Sequence, residues 1–111
     1  VHASRIERLE TLVSAHFRES RPVSFYATRL GVSTAQLNRV TRSETGQTVQ
    51  GLIAARIVEA ARRDLVFTPT PVNRIAESLG FEDPAYFNRF FRKQVGVTPG
   101  AFRAAERERL G

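Results

Sequence analysis

Apolar residues recur at three- and four-residue intervals along almost the whole chain, the spacing of one helix face. Ile6, Leu9, Leu12, Val13 and Phe17 mark a first helix over roughly 3–19, which Pro22 follows as a stop. Ser24 is placed to cap a short second helix carrying Ala27 and Leu30 and ending at Gly31. Ser33 caps a third helix over about 34–45, with Leu37 and Val40 inward and Gly46 at its end. Thr48 caps a long fourth helix over about 49–65, bearing Leu52, Ile53, Ile57, Ala60, Ala61 and Leu65. The break FTPTP at 67–71 follows, and Thr70–Pro71 reads as a cap and a first-turn proline opening the fifth helix, which carries Ile75, Ala76 and Leu79. Asp83–Pro84 opens the sixth helix, ending near Gly96, and Thr98–Pro99 a seventh containing Phe102. Only VSFYA, at 23–27, also fits a strand.

Part of this pattern occurs twice. Ala27, Leu30 and Gly31 match Ala76, Leu79 and Gly80 at an offset of 49. Leu37-Asn38-Arg39 matches Phe87-Asn88-Arg89 at an offset of 50, and Arg42, Gly46 and Thr48 match Arg92, Gly96 and Thr98. Each copy is helix, short glycine-containing turn, helix, which is the helix-turn-helix layout. The pattern predicts an all-α fold of seven helices, with two homeodomain-like helix-turn-helix subdomains joined by a long central helix. The boundaries are 1–47 for the first subdomain, 48–66 for the linker helix and 67–111 for the second, within one domain over 1–111. Seventeen residues at about 1.5 Å each make a linker rod of roughly 26 Å. Adding the width of two reading heads approaches the one-turn spacing of about 34 Å between major-groove faces on one side of DNA.

Charge gives the repeat a direction. The formal net charge is +6, and 16 of the 17 cationic residues are Arg. Codon composition also enriches Arg over Lys, so the distribution says more than the total. The segments 33–43 and 84–96 hold five cations and no acid. In a helix-turn-helix the second helix enters the major groove with its N-terminal residues leading. Thr34, Ala35, Asn38 and Arg39 on the third helix, and Ala85, Asn88 and Arg89 on the sixth, lie opposite the apolar face. Arg bonds guanine bidentately and Asn bonds adenine bidentately. Alanine permits close approach. The rival reading of Arg39 and Arg89 is a solvated or ion-paired surface arginine. Tyr86 either completes the core or joins the base-reading set. Arg42, Arg92 and Lys93, one turn on, suit phosphate, and the helix starts at Ser33, Thr48 and Asp83 bring backbone amides there, although Asp83 itself reads first as a cap. Phe87, Phe90 and Phe91 are the core that holds the sixth helix rigid.

The string Ile75-Ala76…Gly80-Phe81…Tyr86-Phe87-Asn88-Arg89-Phe90-Phe91-Arg92-Lys93…Gly96-Val97-Thr98-Pro99…Phe102-Arg103 resembles the C-terminal signature of the AraC/XylS family of bacterial transcription regulators. The resemblance covers about 5–105. It implies the seven-helix double helix-turn-helix fold, promoter DNA binding, activation through contact with RNA polymerase, and base contacts from Ala35, Asn38, Arg39, Ala85, Asn88 and Arg89. It also implies an N-terminal effector-binding and dimerisation domain. The chain has no Met even at position 1, which reads as a fragment of such a larger regulator. Two departures stand out. Thr41 replaces the large apolar residue usual at its place, so the first subdomain is expected to pack less tightly. Ala35 is small for its position, so the third helix is expected to read fewer bases.

The remaining composition narrows the alternatives. There is no Cys, and only His2 and His16 are imidazoles, so neither a zinc cluster nor any other metal site is expected. No phosphate loop and no nucleophile–base–acid set is present, so no cofactor and no enzymatic activity are expected. No signal peptide or membrane-length apolar run occurs, which favours a cytoplasmic protein with no membrane partner. The competing function is a helical protein-interaction module without DNA readout. Salt dependence separates the two, since phosphate binding releases counterions.

Overall fold

The computed structural model describes residues 4–111. His2 and residue 3, the expected start of the first helix, lie outside the described residues. The described residues form seven α-helices and no strand: α1 (Arg5–His16), α2 (Val23–Arg29), α3 (Thr34–Thr45), α4 (Val49–Phe67), α5 (Val72–Ser78), α6 (Pro84–Val95) and α7 (Pro99–Leu110). VSFYA is therefore helical. The chain divides into two compact units, the first running to Arg56 and the second from Ile57 to Gly111, so the division falls inside α4.

In the first unit, Ser4 caps α1 by accepting the Glu7 amide, and Leu9 and Val13 turn inward. A 3₁₀ turn over Phe17–Glu19 carries Phe17 into the core. Helix α2 starts two residues earlier than a Ser24 cap would have it. Pro22, extended at φ −72° and ψ 163°, is the N-cap residue, and no side chain caps the helix. Proline fits there because its carbonyl opens the ladder, accepting the Phe25 amide at 3.0 Å, while its own nitrogen has nothing to donate. The core closes on Leu37, Val49, Tyr26 and Thr41, all fully buried. Neither the Tyr26 nor the Thr41 hydroxyl has a hydrogen-bond partner among the described residues. Burial pushes the Tyr26 phenol above its ordinary pKa, with the Glu19 charge adding to it.

The second unit repeats these devices. Helix α5 begins after Pro71, which is the N-cap residue rather than the first-turn proline that Thr70–Pro71 suggested. Pro71 lies 49 positions from Pro22, and its carbonyl accepts the Arg74 amide at 3.0 Å as Pro22 does for Phe25. The turn after each short helix is also the same. The Val32 amide donates to Ala27 and the Phe81 amide to Ala76, each at 3.0 Å, past Gly31 and Gly80 with φ of +70° and +90°. Only glycine adopts that left-handed geometry without cost. The core here is aromatic: Phe81 meets Phe87 edge-on at 5.1 Å, and Phe91 meets Phe102 at 5.6 Å. Burying Phe87 and Phe91 contributes about 1.5–3 kcal/mol each.

The C-terminal end of α4 is closed in this unit by α7. A helix leaves its last four carbonyls without intrahelical partners. The Thr68 hydroxyl donates to the Asp64 carbonyl at 2.7 Å. Arg103 donates to Leu65 at 2.9 Å and to Thr68 at 3.3 Å, and Arg107 donates to Thr68 at 2.7 Å. Burial, then the neighbouring Arg107 charge, pulls the Arg103 guanidinium below its ordinary pKa. The apolar spacing assigned Arg103 no task, since its partners lie 35 to 39 residues away.

Candidate nucleic-acid interface

Helices α3 and α6 are held by their inner faces and present their outer faces to solvent. Leu37 and Thr41 are the buried residues of α3, and Phe87 and Phe91 those of α6. Opposite them, Thr34, Ala35, Arg39 and Arg42 are exposed on α3, and Ala85, Tyr86, Arg89, Arg92 and Lys93 on α6. Of the two readings of Tyr86, the structure selects the surface, with the side chain 58% exposed. Its ring still leans on Phe81 at 5.9 Å, and the Arg89 guanidinium lies 5.8 Å above it. That contact holds Arg89 against a flat, fixed support. Position 36, the counterpart of Tyr86, is Gln36, so Arg39 has no such support.

The charged groups on both faces are available. Among the described residues, Arg39, Arg42, Arg89, Arg92 and Lys93 form no ion pair with any carboxylate. Within its own unit neither Arg39 nor Arg89 meets an acid, so the solvated surface arginine is the rival that stands beside base reading.

The two helix starts differ. Ser33 and Gln36 form a reciprocal capping box: the Gln36 amide donates to the Ser33 hydroxyl at 3.1 Å, and the Ser33 amide to the Gln36 side-chain oxygen at 3.0 Å. This start is uncharged, and the Thr34 and Ala35 amides lie in its first turn, without intrahelical acceptors. At α6 the Asp83 carboxylate accepts the Ala85 amide at 2.9 Å, and Pro84 has no amide proton. Asp83 is thus committed to capping, and its negative charge opposes a phosphate beside it. Thr48 accepts the Gly51 amide at 3.0 Å and is likewise a cap.

The two asparagines also differ. Asn38 is half-buried, and its side-chain oxygen accepts the Val49 amide at 3.0 Å, tying α3 to the start of α4. Asn88 instead donates from its side-chain amide to the Pro84 carbonyl within α6, at 2.8 Å.

Among the described residues no group of His, Cys, Asp and Glu is placed to hold a metal ion, and no helix is long and apolar enough to cross a membrane.

Comparison with known proteins places this geometry. The family model described as a helix-turn-helix domain matches residues 26–105. The transcriptional activator NphR of a Rhodococcus species is 36% identical over 89 residues, which are 80% of this chain and 26% of NphR. The regulatory protein SoxS of Escherichia coli K12 is 30% identical over 102 residues, covering 92% of this chain and 95% of SoxS. The chain thus spans about a quarter of NphR but nearly all of SoxS. Among solved structures, the DNA-binding domain of AdpA, a global transcriptional factor crystallised with a target DNA, superposes with a TM-score of 0.87. It shares 29% identity and covers 96% of each chain.

Proposed function

The chain belongs to the AraC/XylS family of DNA-binding transcription regulators, and from that premise we propose how its two helix-turn-helix motifs divide the work. Each motif lays its second helix, α3 or α6, in the major groove of double-stranded promoter DNA, in successive grooves. On α6, Arg89 reads guanine, Asn88 adenine, and Ala85 and Tyr86 make close contacts. On α3, Arg39 reads guanine, with Thr34 and Ala35 beside it. Arg42, Arg92 and Lys93 neutralise phosphates, and the first-turn amides of α3 near Ser33 add a neutral phosphate site. The two helices differ in sequence, so one chain reads two unlike boxes.

The carrying observation is the pair of equivalent, acid-free outer faces whose cations are free of ion pairs. The DNA-bound AdpA domain of the same fold supports the reading, as does the activator function named for NphR. By the same likeness, the chain works in a cytoplasmic activator that contacts RNA polymerase, beside an effector-binding domain. A protein adaptor would have no need for two such faces at matched positions.

The test is selection from a random duplex library, with binding repeated across a salt series. Two unlike enriched boxes are expected, with log affinity falling by about 0.9 per phosphate neutralised for each unit of log salt. No enriched sequence, or salt-insensitive binding, would overturn the reading in favour of protein interaction.

A further inference from the structure

We propose that Asn38 is a positioning residue, not a base reader, and that the residue eleven places on decides which role an asparagine at this site takes. That residue is Val49 in the first unit and Pro99 in the second.

Val49 is fully buried and opens α4, so its amide proton lies in the first turn and has no intrahelical acceptor. A buried backbone donor must find a partner. The Thr48 hydroxyl is already used by the Gly51 amide. The Asn38 oxygen meets the Val49 amide at 3.0 Å. Only an oxygen accepts from an amide proton, so this bond also fixes which way the Asn38 side chain is turned. Bidentate pairing with adenine needs that same oxygen.

In the second unit the donor does not exist. Pro99 is buried at the equivalent place, and Thr98 caps α7 by accepting the Ala101 amide at 3.2 Å. Proline at the first helical position removes the orphan proton that Asn38 serves elsewhere. Asn88 therefore has nothing to serve in α7. It rests on its own helix at Pro84, and its oxygen has no partner among the described residues. One unit satisfies its helix start with a side chain from the reading helix. The other satisfies it with proline and leaves the oxygen of the reading side chain free among the described residues.

The inference about Asn88 rests on the DNA-binding reading above, whereas that about the Asn38–Val49 bond does not, and the experiment keeps them apart. The full chain is compared with Asn38→Ala, Asn88→Ala, Val49→Pro and the double variant Asn38→Ala/Val49→Pro. Base preference is read by library selection, melting temperature by circular dichroism, and Val49 amide exchange by NMR. Asn88→Ala is expected to lose about tenfold discrimination at one base pair, with its melting temperature nearly unchanged. Asn38→Ala is expected to melt several degrees lower, to expose the Val49 amide to exchange, and to keep its preference at every base pair. Against the Val49→Pro background, removing Asn38 is expected to cost no further melting temperature.

A changed preference at a single base pair in Asn38→Ala would overturn the proposal. So would an equal melting loss in both backgrounds. If Val49→Pro fails to fold, unaltered Val49 exchange in Asn38→Ala overturns it just as well. If the unmodified chain selects no DNA, the DNA reading fails while the melting and exchange results still judge the Asn38–Val49 bond.

Discussion

The first unit carries a buried aromatic on the first helix of its motif, α2, and a small residue on the second, α3; the second unit carries an aliphatic on α5 and an aromatic on α6. Tyr26 and Thr41 stand where Ile75 and Phe91 stand 49 and 50 positions later, and all four are buried. The exchange conserves volume roughly but not chemistry. Two apolar side chains in one core are replaced by two hydroxyl-bearing ones in the other, and neither hydroxyl is paired among the described residues. A buried hydroxyl without a partner costs stability that an apolar core does not lose. The same outline of helices is thus secured by a rigid aromatic cluster in one unit and by a costlier core in the other. The first unit was expected to pack less tightly, and the difference seen is one of polarity. Thr41 leaves no open surface, because the core closes over it, but its hydroxyl is brought in unmatched.

The largest test strikes the aromatic side. Phe91→Ala removes a fully buried ring that touches Phe87 and Phe102, and should cost about 3–5 kcal/mol in urea unfolding followed by helicity. Thr41→Ala, at the matching position, should cost about 1 kcal/mol or less, because it deletes one methyl and a hydroxyl that pairs with nothing. Equal losses would show that the two cores rely equally on this position. Next in size is Arg103→Ala. It strands the Leu65 carbonyl at the end of α4 and should cost about 2 kcal/mol. Arg103→Lys should not restore it, because an ammonium lacks the fork that reaches both Leu65 and Thr68. The first unit has no counterpart, since position 53 is Ile53.

The reading faces sharpen the comparison at the DNA. Arg39→Ala and Arg89→Ala should each cost about 1–3 kcal/mol on the selected site and relax one base position, measured by titration of single-substituted duplexes. Arg89 should be the more stringent of the two, because Tyr86 supports it and nothing equivalent supports Arg39. Tyr86→Ala should therefore loosen discrimination at the Arg89 position while leaving that at the Arg39 position unchanged. Arg92→Ala should weaken all duplexes alike and reduce the salt slope by about one. A loss confined to one base pair would assign Arg92 to readout instead.

What was legible in the sequence divides along the same line as what is local. Ser33, Thr48, Asp83 and Thr98 announce their helices because a cap acts within three residues, and Gly46 and Gly96 end α3 and α6 in the left-handed region. Ser24 and Thr70 misled because a proline, two residues before Ser24 and next to Thr70, fills the cap position itself. The bond that Asn38 makes could not be read for a different reason. Its partner lies eleven residues off, and only the fold brings the two together. The one signal for it was the exchange of Val49 for Pro99, which says that one copy has a first-turn amide to satisfy and the other does not. Arg103 left no periodic signal at all, since its partners are carbonyls of another helix.

The smallest predicted effect is the most informative about the first unit's core. Thr41→Val replaces the hydroxyl by a methyl of nearly the same shape and keeps the β-branch, so helix propensity changes little. If the hydroxyl is buried without a partner, the substitution should stabilise the protein by about 1 kcal/mol and raise its melting temperature. Thr45→Val is the matched control on the same helix. Its hydroxyl donates to the Thr41 carbonyl at 2.7 Å and accepts the Gln47 amide at 3.1 Å, so its removal should destabilise. Opposite signs from two threonines four residues apart on one helix would tie the effect to hydrogen bonding rather than to valine itself. Destabilisation by both would mean that the Thr41 hydroxyl is satisfied in solution, and that the two units differ in shape but not in the polarity their cores must accommodate.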